Sequence, residues 1–260
     1  MASIRTLEQV TQSNGKMIMI YSDTGVGKTT SCIQSLPCPI QFHQIEKRNQ
    51  MPQVRAANRP DLDLKFVAFD GVEDHLEYLN TRENFDGTRS IIVDSVSYLM
   101  NNQFTMEIED EAFDARDRKE KVRKPIIEQN KLTLEGYGGL ASLMCRIFDA
   151  YARIALKLDV IVVMTALIQE NKRYKGEQME AFPALRGKDF PNNFPAYMDL
   201  IGLVEPRYAT NEDGTRSLVY PPKVWFEQTG HEGSFLCKWT GNPQARKQGP
   251  LNFQKILEQL

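Results

Sequence analysis

The stretch Ile20-Tyr-Ser-Asp-Thr-Gly-Val-Gly-Lys-Thr-Thr30 decides the fold of this chain. The apolar residues 17–21 before it have the length of a strand, and residues 29–36 after it are typical of a helix that ends at Pro37. Phosphate-binding loops place Gly, four residues and then Gly-Lys-Ser/Thr between a strand and a helix. The stretch matches this pattern except that Ser22 stands in place of the first glycine. It therefore predicts a nucleotide site.

The residues of this loop have distinct expected roles. Gly25 and Gly27 allow successive backbone N–H groups to turn toward an anion. We expect the Lys28 ammonium to reach the β- and γ-phosphates of ATP, and the Thr29 hydroxyl to bind Mg²⁺. The predicted nucleotide-binding residues are Ser22, Asp23, Thr24, Gly25, Val26, Gly27, Lys28, Thr29 and Thr30. The alternative is a glycine-rich turn without a ligand.

Composition limits the class of protein. With 260 residues, 41% of them hydrophobic, the chain can form one large α/β domain or two small ones. The net charge of −2 indicates no overall basic field, so a nucleic-acid surface would have to be local. Since no apolar stretch approaches the length of a membrane span and no secretory signal is evident, we expect a soluble, intracellular protein without a membrane partner. The scattered cysteines and histidines do not favour a zinc site.

Short apolar runs alternate with segments that can hold helices, which predicts a mostly parallel sheet covered on both faces. The runs are residues 17–21, 39–45, 64–69, 90–93, 160–165 and 200–204. Apolar residues at three- and four-residue steps from Leu140 to Leu158 predict an amphipathic helix. Short antiparallel strands over 217–220, 224–226 and 234–239, and a helix over 251–260, complete the pattern. We predict a single domain with a core at about 14–206, a charged insertion at about 102–130 and a β-rich extension at about 207–260.

Two carboxylates follow predicted strands. Asp94 ends the strand that begins at Ser90, which is the setting of a carboxylate that holds the Mg²⁺ shell, partly through water, opposite a phosphate loop. Glu46 follows the strand 39–45, and in an open α/β sheet that end faces the same crevice. There it could polarise an attacking water. The alternative for Glu46 is an exposed side chain paired with Lys47 or Arg48.

Thr165 and Gln169 follow the strand 160–165 and are candidate sensors of the γ-phosphate. We expect them to pass its presence to residues 171–193, a polar stretch with two glycines and two prolines that predicts one long loop. An ordinary polar loop remains an equal alternative for both residues.

The same predicted loop interleaves cations with aromatic rings, a combination that single-strand binders use for phosphates and bases. The candidate DNA-binding residues are Lys172, Arg173, Tyr174, Lys175, Arg186 and Lys188, with Phe182, Phe190 and Phe194 as the neighbouring rings. Because Glu177, Glu180 and Asp189 lie in the same stretch, a solvated loop or a subunit contact remains the alternative.

Taken together, these residues resemble the RecA-like P-loop ATPases, and most closely phage-encoded AAA-domain nucleotide-binding proteins of the single-strand annealing and recombination type. The resemblance covers nearly the whole chain. It depends on the loop 22–30, the strand ending in Glu46, residues 91–95 and 163–166, and the tail residues 235–241 and 250–253.

The resemblance implies a RecA-like α/β core with a C-terminal antiparallel β extension, and an Mg-dependent ATPase in which Glu46 acts with Lys28 and Asp94. It also implies that residues 171–193 grip DNA and that subunits form a ring or filament. In such assemblies a basic residue reaches the neighbour's γ-phosphate; Lys238 is the first candidate and Arg207 the second. A single-strand-binding protein is a further candidate partner, and the location would be the cytoplasm of a bacterial host.

We therefore expect an ATP-hydrolysing DNA recombination or annealing protein that binds single-stranded DNA as an oligomer. The alternative is a nucleotide-gated assembly protein with slow hydrolysis and no direct DNA role. The serine at position 22, the mixed charges of residues 107–124 and the near-neutral total charge motivate it. A ring helicase is a variant of the first function.

Overall fold

The computed structural model of the protein describes residues 15–108, 110, 127–128, 131–172, 179–187, 189–211 and 214–260. The strands are β1 (Lys16–Ser22), β2 (Ile40–Gln44), β3 (Leu64–Ala68), β4 (Ser90–Asp94), β5 (Ile127–Glu128), β6 (Lys131–Leu132), β7 (Ile161–Lys172), β8 (Met179–Pro183), β9 (Leu200–Thr210), β10 (Arg216–Trp225), β11 (Ser234–Phe235), β12 (Lys238–Trp239) and β13 (Gln248–Pro250). The α-helices are α1 (Lys28–Ser35), α2 (Met51–Ala57), α3 (Val72–Asn80), α4 (Val96–Tyr98), α5 (Leu134–Leu158), α6 (Asp189–Asn193) and α7 (Phe253–Leu257). A π-helix (Leu99–Phe104) continues α4, residues 105–108 and 110 are also helical, and two 3₁₀ turns lie at Arg82–Phe85 and Phe194–Tyr197.

The described strands form one mixed sheet of eleven strands, and β5 and β6 pair separately. Its main path runs β13-β10-β9-β1-β7-β4-β2-β3. From β9 to β3 the neighbours are parallel, whereas β10 and β13 add in antiparallel fashion. This confirms the predicted α/β class, with a mostly parallel centre and antiparallel C-terminal strands. β7 lies between the phosphate-loop strand and the strand that ends in Asp94.

Hydrophobic cores cover both faces of the sheet. Successive side chains of β1 alternate between them: Met19 packs in the core that α5 covers, and Ile18 in the core that α1 covers. The predicted long amphipathic helix is α5, which has 25 residues and extends the prediction at its N-terminus. The Thr133 side chain caps that end by accepting a hydrogen bond from the Gly136 N–H, so the helix begins before the apolar periodicity does.

A buried polar network fastens α3 and α5 to β2. The His43 Nε2 contacts the Oε1 atom of the Gln41 side chain, an amide oxygen that can only accept, so Nε2 carries the proton and Nδ1 accepts from the Tyr151 hydroxyl at 2.7 Å. The hydroxyl oxygen in turn accepts from His75 Nε2 at 2.9 Å. Burial lowers the pKa of His75 to about 3 and that of His43 well below its usual value. Both rings are therefore neutral at pH 7.

Residues 171–193 differ from the prediction of one long loop. β7 continues to Lys172 and pairs in antiparallel fashion with β8, and α6 and a 3₁₀ turn follow. The rings of Phe182, Phe190 and Phe194 are 4%, 1% and 0% exposed. The prediction that these rings are available for base stacking is therefore wrong. The three rings are buried because they pack in the core that α5 and β7 share. The polar residues between them along the chain concealed this apolar face in the sequence.

Two further segments depart from the sequence-based expectation. Residues 102–108 were predicted to open a solvated insertion, yet Phe104 and Ile108 are buried in the core; residues 109, 111–126 and 129–130 lie outside the described part. The predicted antiparallel strand over 234–239 is two strands: β11 pairs in parallel with β8, and β12 pairs in antiparallel fashion with β9.

Among the described helices, none combines the length and the apolar character needed to cross a bilayer.

Candidate nucleotide-binding site

The loop between β1 and α1 has the backbone geometry that the sequence predicts. Gly25 and Gly27 adopt φ angles of 81° and 103°, which disfavour any residue with a Cβ. At Gly27 an added Cβ would also lie 2.5 Å from the Cε1 atom of Tyr220. The loop leads directly into α1, so the backbone N–H groups at the start of that helix face the crevice beside the loop.

Lys28 is folded back onto this loop. Its Nζ donates to the carbonyl oxygens of Ser22 and Asp23 at 3.0 and 2.9 Å, and to the Ser22 hydroxyl at 2.8 Å. Ser22, which replaces the first glycine of the pattern, therefore supplies an acceptor for the lysine. Burial lowers the pKa of Lys28 to about 8, although the charges of Asp94 and Glu46 oppose this shift.

Asp94 lies at the end of β4 with its carboxylate 3% exposed. The carboxylate accepts hydrogen bonds from the hydroxyls of Thr29, at 3.1 Å, and Thr165. The Asp94 carbonyl oxygen accepts from the backbone N–H groups of Ile45 and Glu46, which ties the end of β2 to the end of β4. These contacts bring the predicted metal residues Thr29 and Asp94 together with the predicted sensor Thr165.

Glu46 lies beside the same site. One of its carboxylate oxygens accepts from the Ser95 hydroxyl at 2.7 Å, and the other pairs with Arg48 Nε at 2.8 Å. The sequence left two interpretations of Glu46 open, and the structure has features of both. Glu46 lines the cavity, and it also pairs with Arg48. Lys47, the other partner considered, is exposed.

These groups surround a cavity of about 380 Å³, within the range of small-molecule sites. The phosphate loop forms one wall, and Glu46, Arg48 and Asp94 line the carboxylate side. Oxygen donors such as the Thr29 hydroxyl and the buried Asp94 carboxylate fit a hard divalent cation such as Mg²⁺.

Ten residues that line this cavity were missed as site residues by the sequence reasoning, and Arg48, Gln53, Ser95 and Tyr220 are among them. Ser95 and Arg48 adjoin the predicted carboxylates along the chain, so polar residues next to a strand end were an available signal. Tyr220 has no such signal, because it reaches the loop only through the pairing of β10 with β9.

Other predicted residues lie apart from these groups. Gln169 is on β7, outside the set that lines the cavity, and its amide donates to the Leu185 carbonyl oxygen at 3.4 Å. The Lys238 ammonium donates to the Pro195 carbonyl oxygen of the same chain at 2.8 Å. Arg207 is exposed and donates to the Pro221 carbonyl oxygen at 3.3 Å.

The candidate DNA-binding residues are only partly described. Lys172 is the last residue of β7, and Arg186 is exposed with its guanidinium 3.4 Å from the Thr105 hydroxyl. Arg173, Tyr174, Lys175 and Lys188 lie outside the described residues. Their role stays a prediction.

Comparison with known proteins identifies the family of the chain. The family model described as "AAA domain" matches residues 14–226, which include the phosphate loop, Glu46, Asp94 and Tyr220. The chain belongs to the AAA domain family. This AAA domain protein is thus a P-loop ATPase by family.

A KaiC-like protein from the hyperthermophilic archaeon Pyrococcus horikoshii OT3 is similar in structure, with 12% sequence identity and a TM-score of 0.46. The similarity covers 91% of this chain and 84% of that protein. Among curated proteins, none matches this chain significantly.

Proposed function

We propose that this AAA domain protein is an Mg-dependent ATPase that binds single-stranded DNA as an oligomer, in recombination or single-strand annealing. The observation that supports the ATPase assignment is the meeting of Lys28, Thr29, Asp94 and Glu46 at one end of the parallel sheet. These residues come from the ends of two strands and the start of one helix, where open α/β sheets bind ligands.

Each residue of the site has its own role in the proposed hydrolysis of ATP. The Lys28 ammonium exchanges its loop acceptors for the β- and γ-phosphate oxygens, and the start of α1 directs backbone N–H groups at the same anions. Thr29 and Asp94 would hold Mg²⁺, and the bound cation would supply positive charge beside the phosphates. Glu46, held by Ser95 and Arg48, orients the attacking water and, as the general base, accepts its proton.

Hydrolysis is tested by measuring phosphate release with and without Mg²⁺. We expect Lys28→Ala to abolish activity and Glu46→Gln to lower kcat by about 10²-fold or more while nucleotide binding persists, as a general base contributes that much. Lys47→Ala, which removes an exposed cation next to Glu46, is the matched control. Full activity in Lys28→Ala would contradict the assignment of the site.

The proposal for DNA is supported by the placement of β7. This strand carries Thr165, which contacts Asp94, and its far end leads into the cationic segment that begins at Lys172. One strand therefore connects the nucleotide site with the candidate DNA-binding residues. Such a connection lets nucleotide state and DNA contact influence each other.

DNA binding is tested by titrating a fluorescent single-stranded oligonucleotide at several salt concentrations. Because phosphate contacts release counterions, we expect affinity to fall steeply with salt, and the double variant K172E/K175E to weaken binding and flatten the salt slope. K157E, which reverses one exposed charge on α5, is the control. DNA binding that ignores salt and the double reversal would contradict the proposed surface.

Assembly is tested by sizing the protein with ATP, with ADP and without nucleotide. We expect ATP to favour the larger species. We propose Lys238 as the residue that reaches a neighbour's γ-phosphate, so Lys238→Ala would lower kcat in the assembled form only. Nucleotide-dependent assembly without affinity for DNA would instead favour the nucleotide-gated assembly protein.

A further inference from the structure

Arg48 spans the two acidic side chains of the nucleotide site. Its Nε lies 2.8 Å from one Glu46 oxygen, and its Nη2 lies 3.4 Å from the Asp94 Oδ2. The Arg48 side chain is 41% exposed, whereas the Asp94 carboxylate is 3% exposed. The guanidinium is thus a partly exposed cation that lines the same cavity as Lys28.

The two contacts of Arg48 differ in strength. The contact with Glu46 has the length of a strong charge-assisted hydrogen bond, whereas the contact with Asp94 is longer and correspondingly weaker. Asp94 Oδ2 also accepts from the Thr29 hydroxyl, so a divalent cation bound by Thr29 and Asp94 competes with Arg48 for the same oxygen. Arg48 can release Asp94 at small cost and keep its bond to Glu46.

Released from Asp94, the Nη groups of the guanidinium are available to a ligand in the cavity that Arg48 lines. Arginine presents five N–H groups in a planar fork, so Nε can hold a carboxylate while the Nη groups bind phosphate oxygens. Lys28 would meet a triphosphate from the loop, and Arg48 would meet its terminal phosphate from the side of Glu46. The two cations would therefore face different oxygens.

We propose that Arg48 binds the γ-phosphate of the nucleotide in its own subunit, and that it thereby couples the Glu46 carboxylate to the presence of ATP. This inference depends on the proposed ATP site. Arg48 would contact the γ-phosphate in addition to Lys28, and it would do so from the same subunit. In other phosphoryl-transfer sites an arginine supplied in cis or in trans stabilises the charge that develops in the transition state.

The test compares the affinities of a non-hydrolysable ATP analogue, AMP-PNP, and of ADP, each with Mg²⁺, by calorimetry. In Arg48→Ala we expect the affinity for AMP-PNP to fall about tenfold or more and that for ADP to change less than about twofold, since only AMP-PNP has a γ-phosphate. We also expect kcat to fall by about 10³-fold, the lower end of the effect of such arginines. Arg48→Lys should recover part of the affinity, and Lys47→Ala should change neither ligand.

Equal losses for AMP-PNP and ADP, or no loss for either, would overturn the proposal and leave Arg48 as a counter-ion of Glu46 and Asp94. A thermal melt of Arg48→Ala confirms that the variant is folded. Binding of AMP-PNP by the wild type without ATP hydrolysis would refute the proposed ATPase function, yet the comparison of AMP-PNP with ADP would still decide the role of Arg48. A wild type that binds neither nucleotide would overturn both.

Discussion

Replacing Lys28 with methionine removes a buried ammonium that we propose binds the triphosphate of ATP. Burial lowers the pKa of Lys28 from 10.5 to about 8. At about 1.36 kcal/mol for each pKa unit, the charged form is disfavoured by roughly 3 kcal/mol in the folded, nucleotide-free protein at pH 7. Methionine has a similar length and no charge, so it removes this cost. It also gives up three hydrogen bonds to Ser22 and Asp23, worth about 1.5 kcal/mol in total at about 0.5 kcal/mol each, the lower end of the usual range.

We therefore expect Lys28→Met to stabilise the nucleotide-free protein by about 1–2 kcal/mol, which raises Tm by about 2–4 °C for a domain of this size. Differential scanning fluorimetry with and without Mg-AMP-PNP provides the measurement. The ligand should raise the Tm of the wild type and not that of the variant, because the variant lacks the phosphate-binding ammonium. Lys47→Met, a change at an exposed neighbour, should leave stability within about 0.5 kcal/mol.

The pH dependence of the stability difference between Lys28→Met and the wild type provides a second check. Between pH 8 and 10.5 the unfolded chain binds the Lys28 proton and the folded chain does not, so wild-type stability rises with pH relative to the variant. The advantage of Lys28→Met should be complete below pH 8 and be lost as pH approaches 10.5. A variant that melts below the wild type at pH 7, or a difference that does not change up to pH 10, would refute the reasoning.

Three further predictions concern other parts of the molecule. Asp94→Asn should lower kcat by about 10²-fold or more and raise the Mg²⁺ concentration needed for half-maximal activity, because an amide is a poorer ligand for a hard cation. An unchanged Mg²⁺ titration would contradict the role of Asp94 as a metal ligand. Tyr220→Ala should weaken nucleotide binding by about tenfold while Tyr220→Phe retains it, since the ring lines the cavity above Gly27; calorimetry distinguishes the two variants. The free energy of unfolding should fall as pH drops from 6.5 to 5, because His75 and His43 take up a proton in the unfolded chain and stay neutral in the folded protein. His75 alone accounts for about 2 kcal/mol of this loss. In urea titrations the loss should therefore be smaller by about that amount in His75→Phe.

Much of the fold follows from local patterns. The strands with short apolar runs and the α5 helix were predictable because a buried strand or an amphipathic helix has a period that the sequence displays directly. The ends of β7 and β9 were not predictable in this way. Both strands continue well past their apolar runs, to Lys172 and Thr210, because each finds an antiparallel partner that pairs its polar half.

The sequence by itself determined the phosphate loop and the identity of the carboxylates. Gly25 and Gly27 are required by local backbone geometry, and Asp94 and Glu46 follow strands whose ends meet at one edge of a parallel sheet. Only the tertiary structure decided that Tyr220 covers the loop and that Arg48 bridges Glu46 and Asp94. The contact of Tyr220 with the loop and the contact of Arg48 with Asp94 join segments distant in the chain, so no local period or spacing encodes them.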